Sequence, residues 1–166
     1  AVSAQTVTVA AGKTAQFDAA LTSTNITLAD STATLKVIGN VTIAGAVTSG
    51  TINTTTAAST FSGAVGTSSL KTAIDADFGT TFGGAVNAST VLIADGKVVD
   101  FDAAVTADSI TLGSSTAGGT FSATSTAAQT ITADFVSFGT DKKGIITSNN
   151  THSTGAIFAG DIGTSA

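Results

Sequence analysis

Short runs of alternating polarity recur along the whole chain. Thr6-Val7-Thr8-Val9, Asn25-Ile26-Thr27-Leu28, Thr34-Leu35-Lys36-Val37, Val41-Thr42-Ile43, Ser109-Ile110-Thr111-Leu112 and Thr130-Ile131-Thr132 each set an aliphatic residue on every second position, with a polar residue, mostly Thr, between. A period of two is that of a half-buried strand, whose successive side chains turn to opposite faces. Thr belongs there because its branched Cβ suits a pleated surface. Gly, Asn and Ser clusters punctuate the runs and predict turns, at Gly39-Asn40, Ser49-Gly50, Gly113-Ser114-Ser115 and Ser148-Asn149-Asn150. Apolar spacing of three and four is nowhere sustained. The one stretch that predicts helix is 68–75, about two turns.

The strands repeat. Residues 17–28, Phe17-Asp18-Ala19-Ala20-Leu21-Thr22-Ser23-Thr24-Asn25-Ile26-Thr27-Leu28, match residues 101–112, Phe101-Asp102-Ala103-Ala104-Val105-Thr106-Ala107-Asp108-Ser109-Ile110-Thr111-Leu112, at eight of twelve positions. Degenerate copies are Ile43-Ala44-Gly45-Ala46-Val47, Phe61-Ser62-Gly63-Ala64-Val65, Phe82-Gly83-Gly84-Ala85-Val86, Phe121-Ser122-Ala123 and Phe158-Ala159-Gly160-Asp161-Ile162. The leading apolar residue recurs at 43, 61, 82, 101, 121, 138 and 158, at gaps of 17 to 21 residues. A period near 20 is that of a repeat architecture. In 101–105 alternation sends Phe101, Ala103 and Val105 one way; 106–109 then read as a turn, and Ile110 and Leu112 resume the inward set. Each unit offers one thin apolar stripe that it cannot bury alone. Stacking unit on unit buries it, Phe over Phe and Val over Val, at about 4.8 Å per layer. The predicted fold is an all-β parallel β-solenoid of about 20 residues per coil, about seven layers and roughly 35 Å long. An antiparallel β-sandwich is the alternative, since it explains alternation equally well but not the recurring Phe-x-Gly/Ala-Ala-Val. Residues 1–16 depart from the repeat and are read as an N-terminal cap or subunit-pairing strand, with 17–166 as the solenoid.

Composition narrows the chemistry. Thr, Ala, Ser and Gly supply about three fifths of the chain, and Cys, Met, Pro, Trp, Tyr, Arg and Glu are absent. With no Cys and His152 alone there is no thiol nucleophile, disulfide framework or zinc cluster. Six Lys against eleven Asp give a net charge of -5, the wrong sign for nucleic acid. No run of about 20 apolar residues offers a membrane-spanning helix. A mean hydropathy of +0.42 with 10% charged residues argues against disorder. The opening Ala1-Val2-Ser3-Ala4, in place of Met, reads as a processed or excised piece whose small residues fit the stretch after a signal cleavage site.

Candidate sites are few. His152 with Asp161 and a nearby Ser is the only triad that can be drawn, and no nucleophile elbow surrounds a Ser; His152 reads as a solvated loop residue, and no catalytic residue is assigned. Asp75/Asp77 and Asp100/Asp102 are carboxylate pairs spaced by two. Without Trp or Tyr to stack on sugar they do not suggest a glycosidase. Calcium would suit such oxygens, but the Gly-Gly-x-Gly-x-Asp calcium repeat is absent; the pairs read as outward charge, and no metal or cofactor is assigned. Asn25, Asn40, Asn53, Asn87 and Asn149 stand in Asn-x-Ser/Thr sequons, read as turn openers beside Thr-rich strands rather than glycan sites. The pairs Thr6/Thr8, Thr22/Thr24, Thr54/Thr56, Thr124/Thr126 and Thr130/Thr132 would bind ice only if aligned one per coil on one face, and they do not keep the 20-residue period.

Thr60-Phe61-Ser62-Gly63-Ala64-Val65, Thr120-Phe121-Ser122 and Ile93-Ala94-Asp95-Gly96-Lys97-Val98-Val99-Asp100-Phe101 resemble bacterial autotransporter-passenger and surface-layer repeats, in which Thr-Leu alternation, a Gly/Asn turn and Phe-x-Gly-x-Val follow one another. With the degenerate copies the similarity covers most of 17–165. It implies a right-handed parallel β-helix, exported and displayed on the cell surface. The expectation is thus a non-enzymatic structural protein whose partner is itself, in a surface layer, filament or adhesin stalk; a binding module for ice or glycan is the alternative. The stacking set expected to matter is Phe61, Phe82, Phe101 and Phe121 with Val47, Val65, Val86 and Val105.

Overall fold

The computed structural model describes residues 1–113, 117–136 and 143–163. Over these the chain is all β, with no helix, and its strands pair in parallel. It is a β-solenoid, not a sandwich. The first four coils carry β1 (Val2–Val9) and β2 (Thr14–Phe17); β3 (Leu21–Leu28) and β4 (Thr34–Val37); β5 (Thr42–Ile43), β6 (Ala46–Thr48) and β7 (Thr51–Thr54); then β8 (Ser59–Phe61) and β9 (Thr72–Ala76). The later coils carry β10 (Thr80–Phe82) and β11 (Val86–Ile93); β12 (Val98–Phe101) and β13 (Val105–Leu112); β14 (Thr120–Ala123) and β15 (Gln129–Val136); then β16 (Ile145–Ser148) and β17 (Ala156–Ala159). One sheet runs β1-β3-β5-β8-β10-β12-β14-β16, with β6 also on β3, and the other runs β17-β15-β13-β11-β9-β7-β4-β2. Eight strands at the ordinary spacing make a stack about 34 Å long.

Three ladders run along the axis, because the long strands each serve two of them. The first ladder joins the start of β3 to β5, β8, β10, β12, β14 and β16. The second joins the ends of β1 and β3 to β6, then passes through Val65 to the starts of β11, β13 and β15 and on to β17. The third joins β2, β4, β7 and β9 to the ends of β11, β13 and β15. The first coil is β1 and β2, which reach from Val2 to Phe17: β1 pairs in parallel with β3, and β2 with β4.

Apolar columns fill the interior. Leu21, Ile43, Phe61, Phe82 and Phe101 stand in register on the first ladder. Val47, Val65, Val86 and Val105 do the same on the second. All nine are buried. The rings of Phe61, Phe82, Phe101 and Phe121 stack with centroids 5.1, 5.2 and 4.5 Å apart. Burying each is worth roughly 1.5–3 kcal/mol, and each stacked pair adds about 0.5–1.5 kcal/mol. Some inward polar residues find partners in the interior, whereas the buried Ser23 Oγ has none. Thr54 and Thr80 share a buried hydroxyl contact of 2.9 Å, and Thr80 Oγ1 donates on to the Phe78 carbonyl at 3.1 Å.

Several expectations are corrected. Residues 68–75 are not helical: a turn spans Thr67 to Leu70, and β9 follows, with Ile74 stacked on Ile52 and Val91. Stacking outweighs a weak local propensity. Residues 106–109 are not a turn but lie inside β13, where two successive side chains, Asp108 and Ser109, stay off the core as the strand passes from the second ladder to the third. Phe121 does not share the Phe101 column by backbone. It pairs with Val99, while Phe101 faces Ala123, and the Phe121 ring leans across to fill the space that Ala leaves. Phe158 faces Ile131 and so extends the Val column. Phe138 and the turn residues Ser114 and Ser115 lie outside the described residues. The best internal match is one face out of phase, since Leu21, not Phe17, shares the Phe101 column, while Phe17 faces Val37 on the third ladder.

The Gly of Phe-x-Gly-Ala-Val sits at the corner between the first and second ladders, where coils touch backbone to backbone. A Cβ on Gly63 would lie 2.5 Å from the carbonyl carbon of Gly45, and one on Gly84 equally close to that of Gly63. Phe101→Ala should cost roughly 3–5 kcal/mol in denaturant melts. Gly63→Ala should cost about 1–3 kcal/mol by overpacking, whereas Gly83→Ala, whose Cβ would meet its nearest atom at 3.5 Å, should stay within about 0.5 kcal/mol. Equal effects at Gly63 and Gly83 would contradict the corner packing.

Candidate functional site

The interior is spent on stacking, so any site lies on the outward positions. His152 is exposed in a tight turn. Its Nδ1 sits 2.8 Å from Thr154 Oγ1, and its backbone N–H donates to Asn150 Oδ1 at 2.8 Å. Asp161 uses its backbone elsewhere: its N–H donates to Asp134 Oδ1 at 3.0 Å and its carbonyl accepts from Phe135 N–H at 2.8 Å. No hydrogen bond or ion pair joins His152 to Asp161 among the described residues.

The carboxylate pairs differ in surroundings. Asp100 points outward in the row Thr42, Thr60, Thr81, Asp100 and Ser122 of the first ladder, and the exposed Asp102 accepts from the Thr124 hydroxyl. Asp75 belongs to the outward row Gln16, Lys36, Asn53, Asp75 and Leu92 of the third ladder. This row borders a shallow hollow of about 620 Å³ lined by Thr34, Lys36, Thr51, Asn53 and Asp77 among others. Asn53 Nδ2 donates to Asp75 Oδ2 at 3.0 Å, yet Asp75 Oδ1 and Asn53 Oδ1 are both shut from solvent with no partner. Partial burial pushes the Asp75 carboxyl above its ordinary range, the nearby Asp77 charge pushes the same way, and the Asn53 bond opposes both. Asp30 is the opposite case. Its Oδ1 accepts from the Thr32 hydroxyl at 2.6 Å, Thr32 N–H at 2.8 Å and Ala33 N–H at 3.2 Å, and these bonds hold it below the usual range. No group of three or more His, Cys, Asp or Glu that could hold a metal ion occurs among the described residues.

Other sequence candidates are dispersed. Asn53 Nδ2 is already engaged with Asp75, while Asn25, Asn40 and Asn149 are exposed and Asn87 half-buried. Thr54 points into the core. Thr6/Thr8 and Thr130/Thr132 do share the outer face of the second ladder, but at opposite ends of it. The Thr-x-Thr pairs therefore form no single array. That outer face is otherwise uncharged: Thr8, Thr27 and Thr48 stand in one row, and Asn87, Thr106 and Thr132 in its continuation.

Two contacts escaped the sequence reading. Lys71 Nζ pairs with Asp108 at the corner between the second and third ladders. Gln129 Nε2 caps the carbonyls of Phe101 and Ala103, at 2.8 and 2.7 Å, where the first and second ladders meet. Both partners lie one to two repeat periods apart, a spacing that would have paired them had the coil lengths been known. No helix is long and apolar enough to cross a membrane among the described residues. No family model, no curated protein and no solved structure matches the chain.

Asp75 and Asp30 are shifted in opposite directions. Asp75, with its folded pKa raised, contributes stability that is full below its unfolded pKa and lost as pH rises through its folded value; Asp30, with its folded pKa lowered, contributes stability above its unfolded pKa that is lost on acidification. Asp75→Asn removes the charge at every pH. The variant should melt higher than the parent at neutral pH, and the gap should close as pH falls into the ordinary carboxylate range. A gap that is constant with pH would show that Asp75 is not perturbed.

Proposed function

We propose that this chain is a non-enzymatic structural module of the bacterial cell surface, exported and self-associating into a layer, filament or adhesin stalk. The observation that carries this reading is the outer face of the second ladder. A chain of net charge -5 keeps the outer face of its second ladder free of charge, so copies can lie side by side there without like-charge repulsion. The similarity of the Phe-x-Gly-x-Val segments to surface-layer and autotransporter repeats points the same way. The partner in this reading is a second copy, with no nucleic acid and no cofactor involved.

Negative-stain microscopy and sedimentation velocity of the purified chain test the proposal. Sheets or fibres, or a sedimentation coefficient that climbs with concentration, are expected. A single slow species at every concentration, or antibody labelling confined to the interior of the source cells, would overturn it.

A further inference from the structure

We infer that Asp75 and Asn53 share a proton and so form an acid-closed clasp between neighbouring coils: the Asp75 carboxylic acid donates from Oδ1 to Asn53 Oδ1 while Asn53 Nδ2 donates to Asp75 Oδ2. The clasp is a property of the single chain and does not depend on self-association.

Two orphan atoms carry the inference. Asn53 on β7 and Asp75 on β9 stand directly opposite each other in the parallel register of the third ladder. One bond, Nδ2 to Oδ2 at 3.0 Å, already joins them. The other oxygen of each group, Asp75 Oδ1 and Asn53 Oδ1, is shut from solvent and has no partner. A buried acceptor left unpaired is costly, and here two belong to one pair of side chains. An ionised carboxylate only accepts, so it offers Asn53 Oδ1 nothing. Turning the amide end for end sets Asn53 Oδ1 against Asp75 Oδ2 and leaves the conflict in place. A proton on Asp75 Oδ1 resolves both atoms at once, because it converts that oxygen into a donor. When the amide hydrogen cis to Asn53 Oδ1 is the one engaged on Oδ2, the coplanar acid and amide close a ring of two hydrogen bonds. The proton is taken up from solvent and returned to it as pH changes.

The surroundings favour the neutral form. From β11 the register sets Leu92 against Asp75 and Thr90 against Ala73, so no charge faces the carboxyl from that strand. From β7 it sets Thr51 against Ala73 and Asn53 against Asp75, again uncharged. Lys36 on β4 faces Asn53 from the far side, and no ion pair joins it to Asp75 among the described residues. Along its own segment the charges are Asp77, exposed two residues on, and Lys71, which is paired with Asp108. Partial burial, then the Asp77 charge, raises the Asp75 carboxyl, the direction that the clasp requires. Once the proton leaves, two buried acceptors stand in one side-chain pair and the contact of β7 with β9 loosens at this row. Acidification closes it.

A pH titration of the isotope-labelled chain, followed by carbon NMR at the side-chain Cγ of Asp75 and of Asn53, tests the clasp. Both carbons should shift with a single midpoint above the ordinary carboxylate range, the Asn53 carbon because its oxygen gains a donor. Native-state hydrogen exchange gives the structural readout. Protection factors of the β7 and β9 amides should rise several-fold as pH falls through that midpoint. In Asp75→Asn, whose amide can donate to Asn53 Oδ1 at every pH, protection should be high and flat across the same range. An Asn53 carbon that stays still while Asp75 titrates, a midpoint in the ordinary range, or protection that changes alike in parent and variant overturns the inference. So does a midpoint that millimolar calcium lowers more than sodium chloride of equal ionic strength, since the two oxygens would then hold a cation rather than a proton.

Discussion

The fold depends on one constraint: a coil of about 20 residues cannot close its own apolar stripe, and only the coil above and the coil below can. No described strand buries more than four residues, too few to exclude water by themselves. Set in register, Leu21, Ile43, Phe61, Phe82 and Phe101 cover one another completely. Stability in such a stack is a sum of nearest-neighbour interfaces. The backbone imposes the same requirement, because a parallel strand satisfies its polar groups on both sides only between two others. Apolar burial and hydrogen bonding therefore demand a neighbouring coil together.

The constraint explains which parts of the fold were legible in the sequence. Alternation gave the strands, and the recurrence at 43, 61, 82 and 101 gave the stack, because an in-register column leaves its period in the chain. The phase was not legible. All three ladders use the same inward-outward alternation, so residues 17–28 match 101–112 in sequence while lying one face away in space. Corners were legible only through glycine. Gly63 marks a close approach of two backbones, but Asp108 and Ser109 turn the next corner with ordinary residues and a slip in alternation that reads as a turn. At the Phe121 level the aromatic ring keeps its partner while the backbone shifts by two residues, a trade that spacing alone does not reveal.

The outer surface is less legible, for a different reason. Its contacts are between side chains one or two coils apart, Asn53 with Asp75, Lys71 with Asp108 and Thr124 with Asp102, and no local motif encodes them. Rows on a solenoid are made by register, so a polar residue acquires its neighbours from coil length rather than from sequence neighbours. Asp75, a carboxyl driven above its ordinary range, is placed in this way, between an amide and the aliphatic Leu92 of the adjoining coils. Its discomfort follows from the stack and not from any feature of its own strand.

The same logic governs the ends. An interior coil has two interfaces and a terminal coil has one, so the terminal coils lack about half of what holds the others, unless something else supplies it. Natural sheets blunt such edges with Pro, inward-pointing charge or a covering element. This chain has no Pro, and the inward residues of its first and last coils are Val7, Ala15, Phe17, Ile146 and Phe158 rather than Lys or Asp. The described strands thus carry the inward pattern of interior coils to both ends.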